Sequence, residues 1–483
     1  MDTPIAQAVI RGEIIDSDLV EYPGRDDIMT FAAPDPKKLV GKLTLGSPSR
    51  LADLYDLRFD DILDYLEELA ARLDINSNEH LQRAREFTYQ ASHLTPALVD
   101  AMYGGFAGLL ARDTVLQIAE STVGLDYLEG WVEHQLANGP RVRVRAFGSR
   151  GLHIIAGNGP GLAVLSLVRS AITRSDCIIK VPSNDPFTSA ALGITMCEMS
   201  PDHPITRHYA CAYWRGGDAA VEDQIYRPQK VEKITVWGGF AGVKHVTKYV
   251  QPGLELISLD PKNSISVVGP EALEDEEKMT ETAYRIAVDV GGGNQMGCAS
   301  SRVVYVLTGS FDDGVERVNR LGQLVYEQMG KLPPTCSTKP KSYDRELQAN
   351  VDMLRLDDDW YQVIGCEEGE GGIIVSQLPR RVEFSAYLQD RTANLVPVES
   401  IDDILLGIDA YTQTIGVWPE RLKSELENIV PLYGAQRLVT LGNALFPGPL
   451  LSMAHDAIEP VRRMCKWVAN EVSEGVWDAP PIS

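Results

Sequence analysis

Between Leu152 and Val181 the chain passes through an apolar strand, a glycine-bearing turn, a helix and a second apolar strand. This order constrains the fold more than any other feature of the sequence. Leu152 to Ala156 is the first strand, a helical period runs from Leu162 to Thr173, and Cys177 to Val181 is the second strand. Strands joined through a helix form a βαβ unit and lie parallel. Further strands are expected at Lys233 to Trp237, Leu254 to Ile257, Ile265 to Val268 and Arg302 to Leu307. Helices are expected at Thr188 to Met199 and Lys278 to Val290. The alternation predicts α/β layers with a largely parallel sheet.

The flanks read differently. Arg141 to Phe147 sets Val142 and Val144 against Arg141, Arg143 and Arg145, the alternation of a half-exposed or edge strand. Residues 1 to 45 are mixed and contain prolines, which predicts short strands and loops over the surface. Ser49 to Leu73 is helical, with Leu51, Leu54 and Leu57 followed by Ile62, Leu63, Leu66 and Leu69. Asn76 to Leu136 continues as helices, with breaks near Thr95-Pro96 and Gly104-Gly105. Packing against a sheet is their simplest role. Val461 to Val472 reads as an amphipathic helix with Val461, Met464, Trp467 and Val468 on one face.

A chain of 483 residues is too long for one core, so two or three domains are expected. With 44% apolar and 23% charged residues it has the make-up of a soluble globular protein. Its net charge of -23 argues against nonspecific nucleic-acid binding, and an anionic substrate would need a local basic pocket. No run approaches the roughly 20 apolar residues of a membrane span. Met1 to Asp16 lacks the basic start and apolar core of a signal peptide. The seven cysteines are scattered and none forms a CxxC pair. That points to a reducing cytoplasm, and no metal-ligand spacing appears.

One cysteine stands apart. Cys298 lies in Val290-Gly-Gly-Gly-Asn-Gln-Met-Gly-Cys298-Ala-Ser-Ser-Arg302, just ahead of an apolar run that reads as a buried strand. Glycines let backbone amides approach a ligand closely. A thiol in that setting can act as a nucleophile, with amides ready to receive an oxyanion. Cys177, Cys197, Cys211, Cys336, Cys366 and Cys465 lack such surroundings and read as packing residues. The second informative segment is His153-Ile-Ile-Ala-Gly-Asn158-Gly-Pro-Gly161, where a strand ends, the chain turns and a helix begins. Polar groups at such a junction face a crevice at the carboxyl ends of the strands. Asn158 is there either as an Asx-turn residue or as a side-chain donor to an oxyanion.

Together the two segments resemble the aldehyde dehydrogenase superfamily, and within it the acyl-CoA reductase branch, the LuxC-type fatty-acid reductases of bacterial bioluminescence. The likeness runs from about Arg141 to Val306 and is strongest from His153 to Pro186 and in the Cys298 loop. Weaker matches continue through Asn394 to Val398, Gly434 to Asn443, and the ending from Met453 to Trp467. The resemblance implies that Cys298 is the catalytic thiolate and that Asn158 holds the oxyanion together with the Cys298 amide. It implies that Lys180 and Ser183 contact the adenosine half of a nicotinamide cofactor. Gly238 and Gly239 stand where the family turns into a helix start, a good seat for pyrophosphate.

The implied fold is α/β, aldehyde dehydrogenase-like, with two Rossmann-like domains and an oligomerisation extension. Residues 1–266 would hold the N-terminal helices and the cofactor domain. Residues 267–450 would form the catalytic domain, with Cys298 at the crevice between the two, and 451–483 a helix and tail. Arg141 to Gly151 and the tail are candidates for a sheet bridging subunits, so the resemblance implies a homodimer or homotetramer.

Several positions depart from the wider superfamily. Where hydrolytic aldehyde dehydrogenases begin Glu-Leu-Gly-Gly-Lys with a water-activating Glu, this chain has Ser258-Leu259-Asp260-Pro261-Lys262. Glu255 is three residues earlier, on the opposite face of a strand. Without a positioned base, water attacks an acyl-enzyme slowly. That favours exchange with a thiol and reduction over oxidation to acid. Where many NAD-preferring relatives carry Glu, the chain reads Ser183-Asn184-Asp185, which leans to NADPH; NADH is the alternative if Asp185 turns inward. Gln295 and Met296 replace the usual Gly-Gln pair ahead of the thiol. His455-Asp456 is either a base pair near the site or, through Asp456, a helix N-cap.

The expected activity is NAD(P)H-dependent reduction of an acyl-CoA, a fatty acyl thioester by family default, to the aldehyde through a Cys298 thioester. The expected partners are acyl-CoA, coenzyme A or an acyl-donor protein, in the cytoplasm, with no nucleic acid, metal or membrane span. The alternatives are an NAD-dependent aldehyde dehydrogenase and, from another class, an inactive scaffolding paralogue.

Overall fold

The computed structural model describes residues 3–137, 141–309, 312–445 and 454–472. Its contacts divide the chain into two units. The first comprises Met1–Ala91, Tyr103–Leu259 and Pro449–Ser483; the second comprises Ser92–Met102 and Asp260–Gly448.

The first unit is built on a seven-stranded sheet. Five parallel strands, β7 (Arg150–Ile154), β8 (Asp176–Lys180), β9 (Tyr209–Ala212), β10 (Lys233–Trp237) and β11 (Glu255–Leu259), run in the order β11-β10-β7-β8-β9. The short strands β1 (Ala8–Ile10) and β2 (Glu13–Ile15) extend it antiparallel beyond β9. The first residues are thus not only a surface covering, because β1 is wholly buried. Three residues carry no readable period; β1 is held by pairing with β9, and just after it Arg11 donates to both oxygens of buried Asp176, at 2.7 and 2.9 Å.

Helix Gly161–Thr173 is buried from Ala163 to Thr173. Such a helix has no polar face because it is covered on every side. The N-terminal helices Phe59–Arg72, Phe106–Leu110 and Arg112–Thr122 pack on it, and Glu79–Ala91 packs on Thr188–Met199. They therefore form a layer over these two helices, which stand where the sequence placed a sheet.

The second unit has its own seven-stranded sheet, in the order β14-β15-β16-β13-β12-β17-β18. Its strands are β12 (Asn263–Val268), β13 (Ser301–Leu307), β14 (Tyr361–Gly365), β15 (Gly372–Ser376), β16 (Thr392–Val398), β17 (Thr412–Trp418) and β18 (Arg437–Thr440). All pair in parallel except β14, which is antiparallel to β15. Side chains alternate across the sheet, and both faces are covered. Val304 and Val306 join the core beneath helices Glu276–Gly291 and Gly314–Lys331, while Val303, Tyr305 and Leu307 join the core on the other face.

A two-stranded hairpin joins β3 (Leu19–Pro23) to β4 (Thr30–Pro34). A three-stranded antiparallel sheet, β19-β6-β5, combines β5 (Val132–Gln135), β6 (Arg141–Phe147) and β19 (Lys466–Val472). One expectation is corrected here. Of the helix expected over Val461 to Val472, only the part up to Met464 is helical, within Pro460–Met464, and Lys466–Val472 is β19. The strand Arg141–Phe147 is half-exposed, one of the two alternatives expected, and is not an edge: β6 is paired from Lys466↔Phe147 to Val472↔Arg141 on one side and with β5 on the other. The spacing of Val461, Met464, Trp467 and Val468 satisfies a helical period, but pairing with a distant strand overrides it.

Candidate active site

The strand order of the first sheet fixes where polar turns gather. From β7 the chain crosses through helix Gly161–Thr173 to β8 on one side, while β10 lies on the other. The carboxyl ends of β7 and β10 therefore flank a topological switch point, the usual ligand crevice of an open α/β sheet. Asn158 follows β7, Lys180 ends β8 with Ser183 just after it, and Gly238 and Gly239 follow β10. All five sequence candidates of this unit thus lie along one edge of one sheet.

The Asn158 turn is braced from the loop that follows β8. Asn184 Nδ2 donates to the Gly157 carbonyl at 3.0 Å, and a Cβ on Gly157 would fall 1.8 Å from Asn184 Oδ1. Glycine is required there by close approach. A Cβ on Gly238 or Gly239 would instead meet nothing within 4 Å. Gly239 precedes helix Phe240–Thr247, and no side chain caps that end. Lys180 lies 5.7 Å from the centre of the Trp214 ring. Burial pushes its ammonium down to about 8, with the Glu222 carboxylate pulling the other way.

Asp185 is committed to the start of the helix that follows it. It accepts from Thr188 Oγ1 at 2.6 Å and from the Thr188 amide at 3.2 Å, at the start of helix Thr188–Met199. Glu255 is equally committed: it begins β11 opposite Lys233 and forms ion pairs with Lys233 and, at 2.7 Å, with Arg463. Ser258 lies nearer the carboxyl end of β11, opposite Val236. Asp456 is not a helix N-cap. Helix Pro460–Met464 starts after Glu459, while Asp456 Oδ1 lies 3.7 Å from His455 Nε2. The His455 ring lies 5.3 Å from that of Trp237, beside the Gly238 turn; Met453 lies outside the described residues.

In the second unit the Cys298 loop follows helix Glu276–Gly291. Gly293, Asn294 and Gln295 take φ of 57°, 52° and 62°, turning the chain sharply before β13. Side chains hold this turn. Asn294 Oδ1 accepts the Thr338 amide at 2.9 Å. Gln295 Nε2 donates to the Ser301 and Thr392 carbonyls at 2.9 Å each, and its Oε1 accepts the Thr392 amide. Gln295 is thus a buried anchor of the loop.

Cys298 itself is half-buried. Gln413 Nε2, on β17, lies 3.2 Å from its sulfur as a donor. Ser264 Oγ, on β12, donates to the Cys298 carbonyl at 2.7 Å and accepts the Thr414 amide at 3.1 Å. Burial depresses Arg302, and the Cys298 charge opposes that; Arg437 is likewise lowered by burial, with Asp289 and Cys298 opposing. Two guanidinium groups thus lie within electrostatic reach of the sulfur. The loop sits at the amino ends of β12, β13 and β17, opposite to the edge where such sheets ordinarily bind ligands. The sequence reading missed Gln413. Its one signal is a long amide side chain in the strand Thr412–Trp418, buried from Thr412 to Val417.

The other thiols differ. Burial pushes Cys177, Cys211 and Cys465 up to about 12 and Cys197 up to about 11, and raises Cys336 and Cys366. These are the surroundings of packing residues. Among the described residues no cluster of His, Cys, Asp and Glu is placed to hold a metal, and no helix is long and apolar enough to cross a membrane.

The profile of the family described as acyl-CoA reductase (LuxC) matches residues 54–467. The chain belongs to that family. Among curated relatives, the long-chain acyl-protein thioester reductase of Vibrio harveyi is 25% identical, covering 86% of this chain and 84% of its own. The enzyme of that name from Photorhabdus luminescens is 24% identical, covering 91% and 90%.

Solved structures place this LuxC-family chain in the aldehyde dehydrogenase fold. The NADP-dependent glyceraldehyde-3-phosphate dehydrogenase of Bacillus halodurans C-125 superposes with a TM-score of 0.74 at 11% identity, covering 98% of this chain and 99% of its own. The lactaldehyde dehydrogenase of Escherichia coli gives 0.72 at 12% identity, covering 98% and 100%. The expected two parallel-rich, Rossmann-like halves are the ones found.

Proposed function

We propose that this chain reduces a fatty acyl thioester to the aldehyde through a covalent thioester on Cys298. The observation that carries this reading is the setting of the sulfur. It is half-buried, receives a hydrogen bond from Gln413 and lies in the field of Arg302 and Arg437, whereas burial raises the other six thiols. The family description supports a coenzyme A thioester as substrate, and the names of the relatives support an acyl-protein thioester. Both present the same carbonyl to the same nucleophile.

The residues at the carboxyl edge of the first sheet fit a nicotinamide dinucleotide. Gly238 and Gly239 leave open space where side chains would stand, ahead of a helix without a side-chain cap, which suits a pyrophosphate. Lys180 and Ser183 would hold the adenosine half, and the commitment of Asp185 to Thr188 leaves no carboxylate from that residue to repel a 2′-phosphate, which favours NADPH over NADH. When bound, the cofactor supplies hydride.

The chain's own groups do the rest. Cys298 Sγ attacks the acyl carbonyl, a carbon–sulfur bond forms, and the carrier leaves as its thiolate. Asn158 and the Cys298 amide are the proposed oxyanion donors. Splitting the reaction through a covalent intermediate lowers each barrier. With Ser258 in place of a carboxylate and Glu255 tied to Lys233 and Arg463, no base from that strand activates water, so the thioester persists. Once reduced it is a thiohemiacetal, whose collapse releases aldehyde and frees the sulfur.

The test is NADPH and NADH oxidation against a panel of acyl-CoA and acyl-protein thioesters. Aldehyde formation that is lost in Cys298→Ala supports the proposal. Oxidation of aldehydes to free acid without coenzyme A would replace it with a hydrolytic dehydrogenase. Absence of any cofactor binding would replace it with a scaffold.

A further inference from the structure

The setting of the nucleophile raises a question: which neighbour favours the ionised form of Cys298? We propose that Gln413 is a catalytic residue whose side-chain amide holds the Cys298 sulfur as the attacking thiolate. This rests on the reading of Cys298 as nucleophile and gives that site a further residue.

The geometry is direct. Gln413 is buried on β17, and its Nε2 lies 3.2 Å from Sγ. An amide does not titrate, so Gln413 acts as a fixed donor and not as a base. A hydrogen bond to the charged form favours that form. The neighbouring residue of the same strand secures the other side of the cysteine, because the Thr414 amide binds Ser264 Oγ, which binds the Cys298 carbonyl. One strand therefore holds both the sulfur and, through Ser264, the backbone of the nucleophile.

The guanidinium groups near the sulfur are hydrogen-bonded to other acceptors. Arg302, on β13, donates to the Leu388 and Lys262 carbonyls and to Asn263 Oδ1. Arg437, on β18, donates to the Ala444 carbonyl and Thr414 Oγ1, and the Asp289 carboxylate acts on it from the end of helix Glu276–Gly291. They supply field, and Gln413 supplies direction. The same donor serves twice. It stabilises the anion that attacks, with the thiol proton passing to solvent. It also stabilises the anion that leaves when the thiohemiacetal collapses, since a better-stabilised thiolate leaves faster.

The experiment is the pH dependence of iodoacetamide alkylation at Cys298, read by peptide mass spectrometry in the wild type, Gln413→Leu and Gln413→Glu. The near-isosteric Glu variant guards against loss of folding in the Leu variant. The alkylation midpoint should move up by about one to two pH units in Gln413→Leu, the effect of losing one hydrogen bond to a charged group. It should move at least as far in Gln413→Glu, whose carboxylate opposes the anion. With thioester substrate, kcat should fall by about tenfold or more while KM stays within about twofold. A midpoint unchanged in both folded variants overturns the proposal. Alkylation needs no thioester, so wild-type Cys298 that alkylates normally but never acylates would overturn the functional reading and leave this contact measurable on its own.

Discussion

Gln295 and Thr392 are joined by a reciprocal pair of hydrogen bonds. Gln295 Nε2 donates to the Thr392 carbonyl and the Thr392 amide donates to Gln295 Oε1, both at 2.9 Å. The pair ties the Cys298 loop to β16. Gln295 holds φ of 62°, a region that costs about 1–2 kcal/mol for a residue with a Cβ. Gln295→Ala removes three hydrogen bonds to buried backbone groups and should destabilise the protein by on the order of 3 kcal/mol. Gln295→Gly removes the same hydrogen bonds but relieves the left-handed backbone, so it should be about 1 kcal/mol less damaging. Denaturant unfolding of the two variants checks the order; alanine unfolding later than glycine would contradict it.

Asp176 should govern acid stability of the first unit. Burial alone would raise its carboxyl, but Arg11, through charge and hydrogen bonds, and His208 together hold it below the ordinary carboxylate range. A carboxyl depressed in the folded state adds stability above its unfolded value, and that stability is lost as pH falls through the folded value. Asp176→Asn leaves Arg11 nearly buried without its counter-charge and should cost about 3–5 kcal/mol at neutral pH. Its unfolding midpoint should also depend less on pH in the acid range than that of the wild type. A parallel pH profile would remove Asp176 as the cause.

Gly239→Asp separates fold from cofactor. The backbone there is extended, with open space for a side chain, and the helix that follows lacks a cap. An aspartate should therefore leave stability unchanged or raise it by a few tenths of a kcal/mol. The same carboxylate repels a pyrophosphate at that helix end, so NADPH affinity should fall on the order of tenfold. Fluorescence titration beside a thermal melt reads both. Unchanged affinity would move the cofactor elsewhere.

Asn158→Ala tests the oxyanion donor. The change removes a partly exposed side chain from a turn that Asn184 braces through Gly157, so folding should survive. Turnover should fall by about 10²–10³, the usual effect of losing one oxyanion donor. Full retained activity would return Asn158 to an ordinary turn role.

What the sequence revealed follows from how local each feature is. The βαβ unit was legible because buried strands and a buried helix write long apolar runs. The Asn158 and Cys298 segments were legible because glycine marks the turns that expose a reactive side chain. Lys466–Val472 was not, because its strand character comes from pairing with β6, far away in the chain. Ala8–Ile10 was too short to show a period. Gln413 was silent for a related reason. A glutamine in a buried strand has no meaning until β17 is known to lie beside β12 and the Cys298 loop.

The central claim is that the sulfur of Cys298 carries the acyl group. The most direct measurement is intact-protein and peptide mass spectrometry after incubation with long-chain acyl-CoA and no reductant. The account predicts one acyl adduct, on Cys298, that disappears with release of aldehyde when NADPH is added. No adduct on Cys298 with any thioester, or an equal adduct in Cys298→Ala, would contradict it.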